Sequence, residues 1–183
     1  MKIIIGVSGA SGVQYAIELL KACSQLEVET HLVISEWAVK NFEIEMDYTE
    51  KNVRKYATFS HDNMNLAAPI SSGSFQHDGM VIIPCSMKSI ASLAIGYSDS
   101  LLIRAADVTI KEGRKLVVVP RETPLSAIHL ENMLKLARLN VTILPPMPAM
   151  YIKPYTIDDL IKHTVGRVLD QFGISNSLVK RWS

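Results

Sequence analysis

The residues of this sequence best suited to chemistry are hydroxyls, glycines and cations at particular places. Close to the start, GVSGASG (residues 6–12) follows the apolar run of Ile3, Ile4 and Ile5. The spacing Gly6-x-x-Gly9-x-x-Gly12, with Ser8 and Ser11 between the glycines, reads as a strand-to-helix turn whose amides can cradle a phosphate. Ser35 and Ser86 each end an apolar run and precede a helical pattern, so each is an N-cap candidate. Together with Ser11 they suit an anion such as a phosphate monoester. A dinucleotide site asks for G-x-G-x-x-G and an acid at the end of the second strand. Here that strand ends on Ser35, and Glu36 already belongs to the helix, so a mononucleotide is the better reading.

The cations gather in the second half. Arg104 sits in the apolar LLIRAADV, and Lys111 follows seven residues later, about two turns along the same helix face. Arg121 comes just after a strand, and Arg167 lies on the last helical segment. Arginines in apolar settings need partners. Ion pairs with Asp107, Glu122 or Asp170 would answer that structurally, while the strand-end position of Arg121 points to a ligand. The five histidines (His31, His61, His77, His129, His163) are scattered, without metal-ligand spacing, and His129 and His163 read as surface or packing residues. Cys85, behind an apolar strand, reads as a small core residue. No nucleophile–base pair stands out. This pattern suits chemistry in which two small molecules react with each other while the protein supplies position and charge.

The elements that must place these groups alternate. Strands are expected at KIIIGV, THLVIS, MVIIP (80–84), KLVVVP (115–120) and VTILPP (141–146), with helical patterns between them. The helix after the fourth strand should start at Thr123 with Pro124 in its first turn, and the last at Thr156 with Asp158 and Asp159 in its first turn. Residues 47–78 are polar and turn-rich, so a loop with short helical pieces is expected. Near-continuous Val/Ile/Leu strands mean a parallel sheet covered on both faces. The fold class is therefore α/β, a three-layer sandwich with a doubly wound parallel sheet, in one domain over residues 1–183. Ligands of such sheets lie beyond the carboxyl ends of the strands.

Nineteen Lys and Arg against eighteen Asp and Glu argue against a nucleic-acid or anionic-membrane binder. The near-neutral balance and positive mean hydropathy fit oligomerisation. Two unclustered cysteines frame neither a disulfide scaffold nor a zinc site, so a cytoplasmic protein is expected. Met1 leads straight into an apolar run that reads as a strand, so no leader is expected. No apolar run approaches the ~20 residues of a membrane span.

Several stretches together resemble one family. GASG (9–12), SSGSF (71–75), PCSMKS (84–89), LLIRAADVTIKE (101–112), VVVPRETPL (117–125), HLENML (129–134), PAMY (148–151), DQFGI (170–174) and RW (181–182) look like UbiX-type flavin prenyltransferases. PRETPL with RAADV-x-x-KE is the most specific part. The resemblance implies a flavodoxin-like Rossmann fold, assembled as a homododecamer with sites at subunit interfaces. It implies metal-independent joining of the dimethylallyl group of dimethylallyl monophosphate to N5 and C6 of reduced FMN. The prenylated FMN would serve a UbiD-type decarboxylase.

Matched position by position, the resemblance puts the FMN phosphate at Gly9, Ala10, Ser11 and Ser35. The flavin falls near Ser86, Met87, Lys88, Ser89 and Arg121. The donor phosphate falls at Lys111, Arg121, Tyr151 and Arg167. Glu45, Ser72, Lys111 and Glu122 match positions near the reacting centre, and Trp182 matches an aromatic near the C-terminus. Gly113 departs from the family, where many members carry arginine. The alternatives are a non-catalytic FMN-binding subunit of a decarboxylase, a flavin-dependent cysteine decarboxylase and an NAD(P)-dependent reductase. The cysteine decarboxylase would want a PASANxG-like segment where this chain has PCSMKS. The reductase would want the acid after the second strand.

Overall fold

In the computed structural model, which describes residues 1–179 and 181, six parallel strands form one sheet in the order β3-β2-β1-β4-β5-β6. They are β1 (Lys2–Val7), β2 (Glu29–Ile34), β3 (Phe59–His61), β4 (Gly79–Cys85), β5 (Lys115–Pro120) and β6 (Thr142–Ile143). The α-helices are α1 (Val13–Gln25), α2 (Glu36–Met46), α3 (Glu50–Arg54), α4 (Met87–Ile95), α5 (Leu101–Lys111), α6 (Ala127–Arg138) and α7 (Ile157–Gln171). Trp182 lies outside the described residues.

Strand alternation sorts the apolar residues onto two faces. Ile3, Ile5, Val7, Leu32, Ile34, Val81, Ile83, Val117 and Val119 pack with α1, with Phe42 of α2 and with Val165, Val168 and Leu169 of α7. Ile4, Val33, Met80, Ile82, Leu116 and Val118 pack with α4, α5 and α6. Both faces are covered, which is why the strands read as continuous hydrophobic runs rather than alternating ones. This is the three-layer sandwich expected.

β1 pairs with β2 on one side and with β4 on the other. The winding therefore reverses between β1 and β4, and their carboxyl ends open a crevice. Hydrogen bonds tie its two lips together. The Ser86 N–H donates to Ser8 Oγ (2.7 Å), and Ser8 Oγ–H donates to the Pro84 carbonyl (3.0 Å).

Three expectations change. The polar segment 47–78 contains a strand, β3, which pairs with β2 from His31↔Phe59 to Val33↔His61. Without β3 the order is that of flavodoxin; with it, the order matches the six-stranded dinucleotide folds. The last strand is two residues long rather than six. Helix α6 begins three residues later than expected, behind Ser126. The Ser126 hydroxyl accepts from the His129 N–H while His129 Nδ1 accepts from the Ser126 N–H, both at 3.3 Å. That reciprocal box fixes the start, and Pro124 lies outside the helix after a cis peptide. No helix among the described residues is long and apolar enough to cross a membrane.

Candidate active site

The crevice at the β1/β4 reversal is a cavity of about 550 Å³. Its walls include Ser8 and Gly9 from the turn after β1, Ser35 and Trp37 at the start of α2, and Ser86, Lys88 and Ser89 at the start of α4. Asn63, Ser100, Leu102 and Ile103 close it on the α5 side. Two capped helix N-termini face this space. Ser35 Oγ accepts from the Ala38 N–H at 3.3 Å, and Ser86 Oγ accepts from the Ser89 N–H at 3.2 Å. Their first-turn amides give the wall a positive edge.

Gly9 is glycine for a steric reason: a Cβ there would run into the Trp37 Cβ. Asn63 has no counterpart in the sequence reading. Its backbone carbonyl accepts from the Leu101 N–H (2.8 Å) and its side-chain oxygen from the Leu102 N–H (3.0 Å), so a loop residue caps α5 beside the cavity. The neighbouring Asx turns at Asp62 and Asn65 were the available signal.

Of the residues named from the sequence, Gly9, Ser35, Ser86, Lys88 and Ser89 meet in this crevice. Ala10 and Ser11 lie in the same turn but do not line it. The Ala10 carbonyl accepts from Asn41 Nδ2 (3.0 Å), and Ser11 is exposed. Met87 turns toward the apolar cluster under α4. Arg121 is tied at its backbone N–H to the Cys85 carbonyl (3.2 Å), and its buried Nε has no hydrogen-bond partner among the described residues. A buried guanidinium N–H left in that state calls for an anion or carbonyl from elsewhere.

Glu45 has a place the sequence did not suggest. Its carboxylate accepts from the Gly12 N–H (2.9 Å) and the Val13 N–H (3.3 Å), at the N-terminus of α1. The helix that follows the glycine turn thus already has an anion on its first amides. The amides still turned to the cavity are those of α2 and α4.

The remaining residues stand at two other stations. Lys111 ends α5, whose first turn lines the cavity, so helix length puts it about 15 Å away. There it pairs with Glu112 at 2.6 Å, which holds the Glu112 carboxyl below its ordinary value. The loop holding Ser72 lies against it: a Cβ on Gly73 would be 3.2 Å from Lys111 Nζ. Arg104 and Arg114 pin that loop through the carbonyls of Ser71, Gly73 and Phe75. Arg104 also pairs with Asp107 at 2.8 Å, the structural ion pair foreseen for it.

The third station is a strip along α7. Tyr151 Oη is 2.9 Å from His163 Nε2, and Arg167 pairs with Asp170 at 3.0 Å. Arg181 also binds Asp170 and, as its nearest cation, holds that carboxyl below the usual range. Glu122 belongs to neither strip nor crevice. It lines a separate, mostly apolar cavity of about 430 Å³ with Leu125, Met133, Leu134 and Pro145.

The histidines are less scattered than the sequence implies. His31 Nδ1 lies 2.9 Å from His61 Nε2, and His31 and Phe75 meet edge-on at 5.0 Å. Strand pairing of β2 with β3 brings them together, which spacing along the chain cannot show. Cys85 is fully buried, and burial pushes its thiol well above the usual range, so it is no nucleophile.

A cavity bounded by helix N-termini at a sheet reversal is common to many nucleotide folds; comparison with known proteins separates them. The Flavoprotein family model matches residues 1–169. A probable UbiX-like flavin prenyltransferase of Escherichia coli O157:H7 is 54% identical over 183 residues, which is 100% of this chain and 93% of that protein. The chain belongs to the UbiX-like flavin prenyltransferase family. Two solved structures in this family superimpose closely. A dodecameric FMN-dependent UbiX-like decarboxylase from Escherichia coli O157:H7 gives a TM-score of 0.98 at 54% identity, covering 100% of both chains. AnUbiX in complex with FMN and dimethylallyl pyrophosphate gives 0.98 at 48% identity, covering 100% of this chain and 97% of that one. Membership in this family displaces the cysteine decarboxylase and the NAD(P) reductase as readings of the crevice.

Proposed function

We propose that this protein is a flavin prenyltransferase that joins the dimethylallyl group of dimethylallyl monophosphate to N5 and C6 of reduced FMN. The observation that carries the reading is the crevice itself: serine hydroxyls and two capped helix N-termini around about 550 Å³. That volume falls in the range of small-molecule sites. A mononucleotide fits the residues present. Gly9, Ser35 and the first amides of α2 suit its phosphate, because α1 is already occupied by Glu45. Ser86, Lys88, Ser89 and Arg121 would hold the flavin ring, which supplies the nucleophile.

The chain's own residues do the rest. Breaking an allylic C–O bond leaves negative charge on a phosphate. Lys111, Arg121 and Arg167, with the Tyr151 hydroxyl, would take up that charge. Ser72 stands beside Lys111, and the released phosphate or Glu122 would accept the proton lost on ring closure. In one chain, crevice, Lys111 and α7 strip are separate, so they must meet between subunits. The dodecameric relative supports such an assembly. Residues 1–183 are read as one flavoprotein domain acting in the cytoplasm. A UbiD-type decarboxylase consumes the product.

Anaerobic incubation of the protein with reduced FMN and dimethylallyl monophosphate tests this. The expected product, by mass spectrometry, is a flavin heavier by one prenyl unit, formed without added metal. FMN bound and unchanged would instead identify a flavin-carrying accessory subunit.

A further inference from the structure

Resting on the reading of the crevice as a flavin mononucleotide site, we propose that Asn63 and Ser100 bind the carbonyl edge of the isoalloxazine ring from the α5 side. Neither residue lies in a stretch that carries the family resemblance. What sets them apart is the way α5 is capped.

Ser100 occupies the N-cap position of α5. Serine at that position ordinarily turns its hydroxyl onto the first amides of its own helix, as Ser35 and Ser86 do. Ser100 makes no such bond. The cap comes from Asn63 on the loop after β3, whose carbonyl accepts from the Leu101 N–H at 2.8 Å and whose Oδ1 accepts from the Leu102 N–H at 3.0 Å. The Ser100 hydroxyl is thus released from capping, and no other described residue takes it up. The Asn63 amide is fixed in orientation. A backbone N–H can only donate, so the atom on Leu102 is the oxygen, and Nδ2 is left for another acceptor. Nδ2 has no partner among the described residues. Both residues line the crevice. Its α5 wall therefore offers two amide hydrogens and one hydroxyl that the protein itself does not use.

The rest of this wall selects the ring over the phosphate. Leu102 and Ile103 line it as well, backed by the apolar cluster under α5, and Met64 stands beside Asn63. An apolar wall with a few placed polar groups suits a flat heteroaromatic ring with a polar edge. The isoalloxazine edge presents two carbonyls flanking one N–H. An amide that donates and a hydroxyl that donates and accepts match that edge. A phosphate is disfavoured here, because Asp99 puts a carboxylate on the same wall, 3.8 Å from Lys88 Nζ. The α5 amides that could have met an anion are already spent on Asn63.

The test is a titration of the full-length protein with oxidised FMN and with riboflavin, which lacks the phosphate, read by quenching of flavin fluorescence. Asn63→Asp keeps an oxygen for the Leu102 N–H, and aspartate caps as well as asparagine does, so the melting temperature should stay near wild type. It sets an acceptor against a ring carbonyl in place of a donor. Its Kd should rise about ten- to a hundredfold, the cost of leaving polar groups unpaired, and by the same factor for FMN and for riboflavin. Ser100→Ala should raise both Kd values about three- to tenfold, without the loss of melting temperature that removing a capping serine brings. Should the aspartate variant fail to fold, Asn63→Ser, which keeps a capping oxygen and adds no charge, takes its place.

Wild-type riboflavin affinity in either variant overturns the proposal. A loss confined to FMN overturns it too, since the pair would then stand at the phosphate. If the wild-type protein binds neither flavin, the reading of the crevice falls and takes the proposal with it. Wild-type protein that binds FMN, beside variants that bind riboflavin normally, removes the assignment of Asn63 and Ser100 alone.

Discussion

Replacing Lys111 with methionine should lower prenyl transfer by about 100- to 1000-fold while leaving FMN binding and folding intact. In the chain itself Lys111 does little. Its ammonium is more than half exposed and pairs with the neighbouring Glu112, and exposed pairs of this kind contribute little to stability. Yet it closes a helix whose first turn lines the crevice, and the pinned loop with Ser72 packs against it. If a neighbouring subunit brings a second crevice to this helix end, the ammonium faces the phosphate that leaves the allyl group. Removing one preorganised group that meets developing charge costs about 2.7–4 kcal/mol. Anaerobic turnover measures the loss, and a thermal melt confirms the fold. A loss below about tenfold, or under 1.4 kcal/mol, would place the leaving phosphate elsewhere.

Ser35→Asp should weaken FMN binding by about a hundredfold or more. The substitution is chosen because aspartate caps a helix as well as serine does. Helix α2 therefore keeps its start, and the Ala38 N–H keeps an acceptor. What changes is charge: a carboxylate now stands where a phosphate dianion should sit. Like charges brought together at an interface cost several kcal/mol, and each 1.4 kcal/mol is tenfold in affinity. Quenching of flavin fluorescence on titration reads the change. An unaltered affinity would move the phosphate away from α2, and the N-terminus of α1 would have to release Glu45 to receive it.

Much of this was written in the sequence. β1, β4 and β5 were visible because strands buried on both faces are unbroken Val/Ile runs. Ser35 and Ser86 were visible because a strand end followed by a capped helix is itself an anion-binding arrangement. β3 was hidden: Phe59-Ser60-His61 is short, only partly buried, and held by pairing to β2 alone. Thr123-Pro124 imitates a helix start so well that the true box at Ser126 and His129 was passed over. Glu45, Asn63 and the Tyr151–His163 pair join residues 12 to 39 positions apart through tertiary packing, which no local pattern encodes. The separation of Lys111 from the crevice was equally invisible, since motif matching gathers residues without placing them.

That separation carries the central claim: one site, built from the crevice of one subunit and the Lys111 helix end of another. Co-expression of Lys111→Met with Ser35→Asp, each inactive by itself, tests it most directly. Random mixing in a symmetric oligomer leaves about a quarter of such shared sites with both wild-type residues. The account predicts that the mixed protein regains about a quarter of wild-type prenylated-flavin formation. Mixed oligomers that stay as inactive as either parent would mean that each subunit supplies both residues to its own site, contradicting the account.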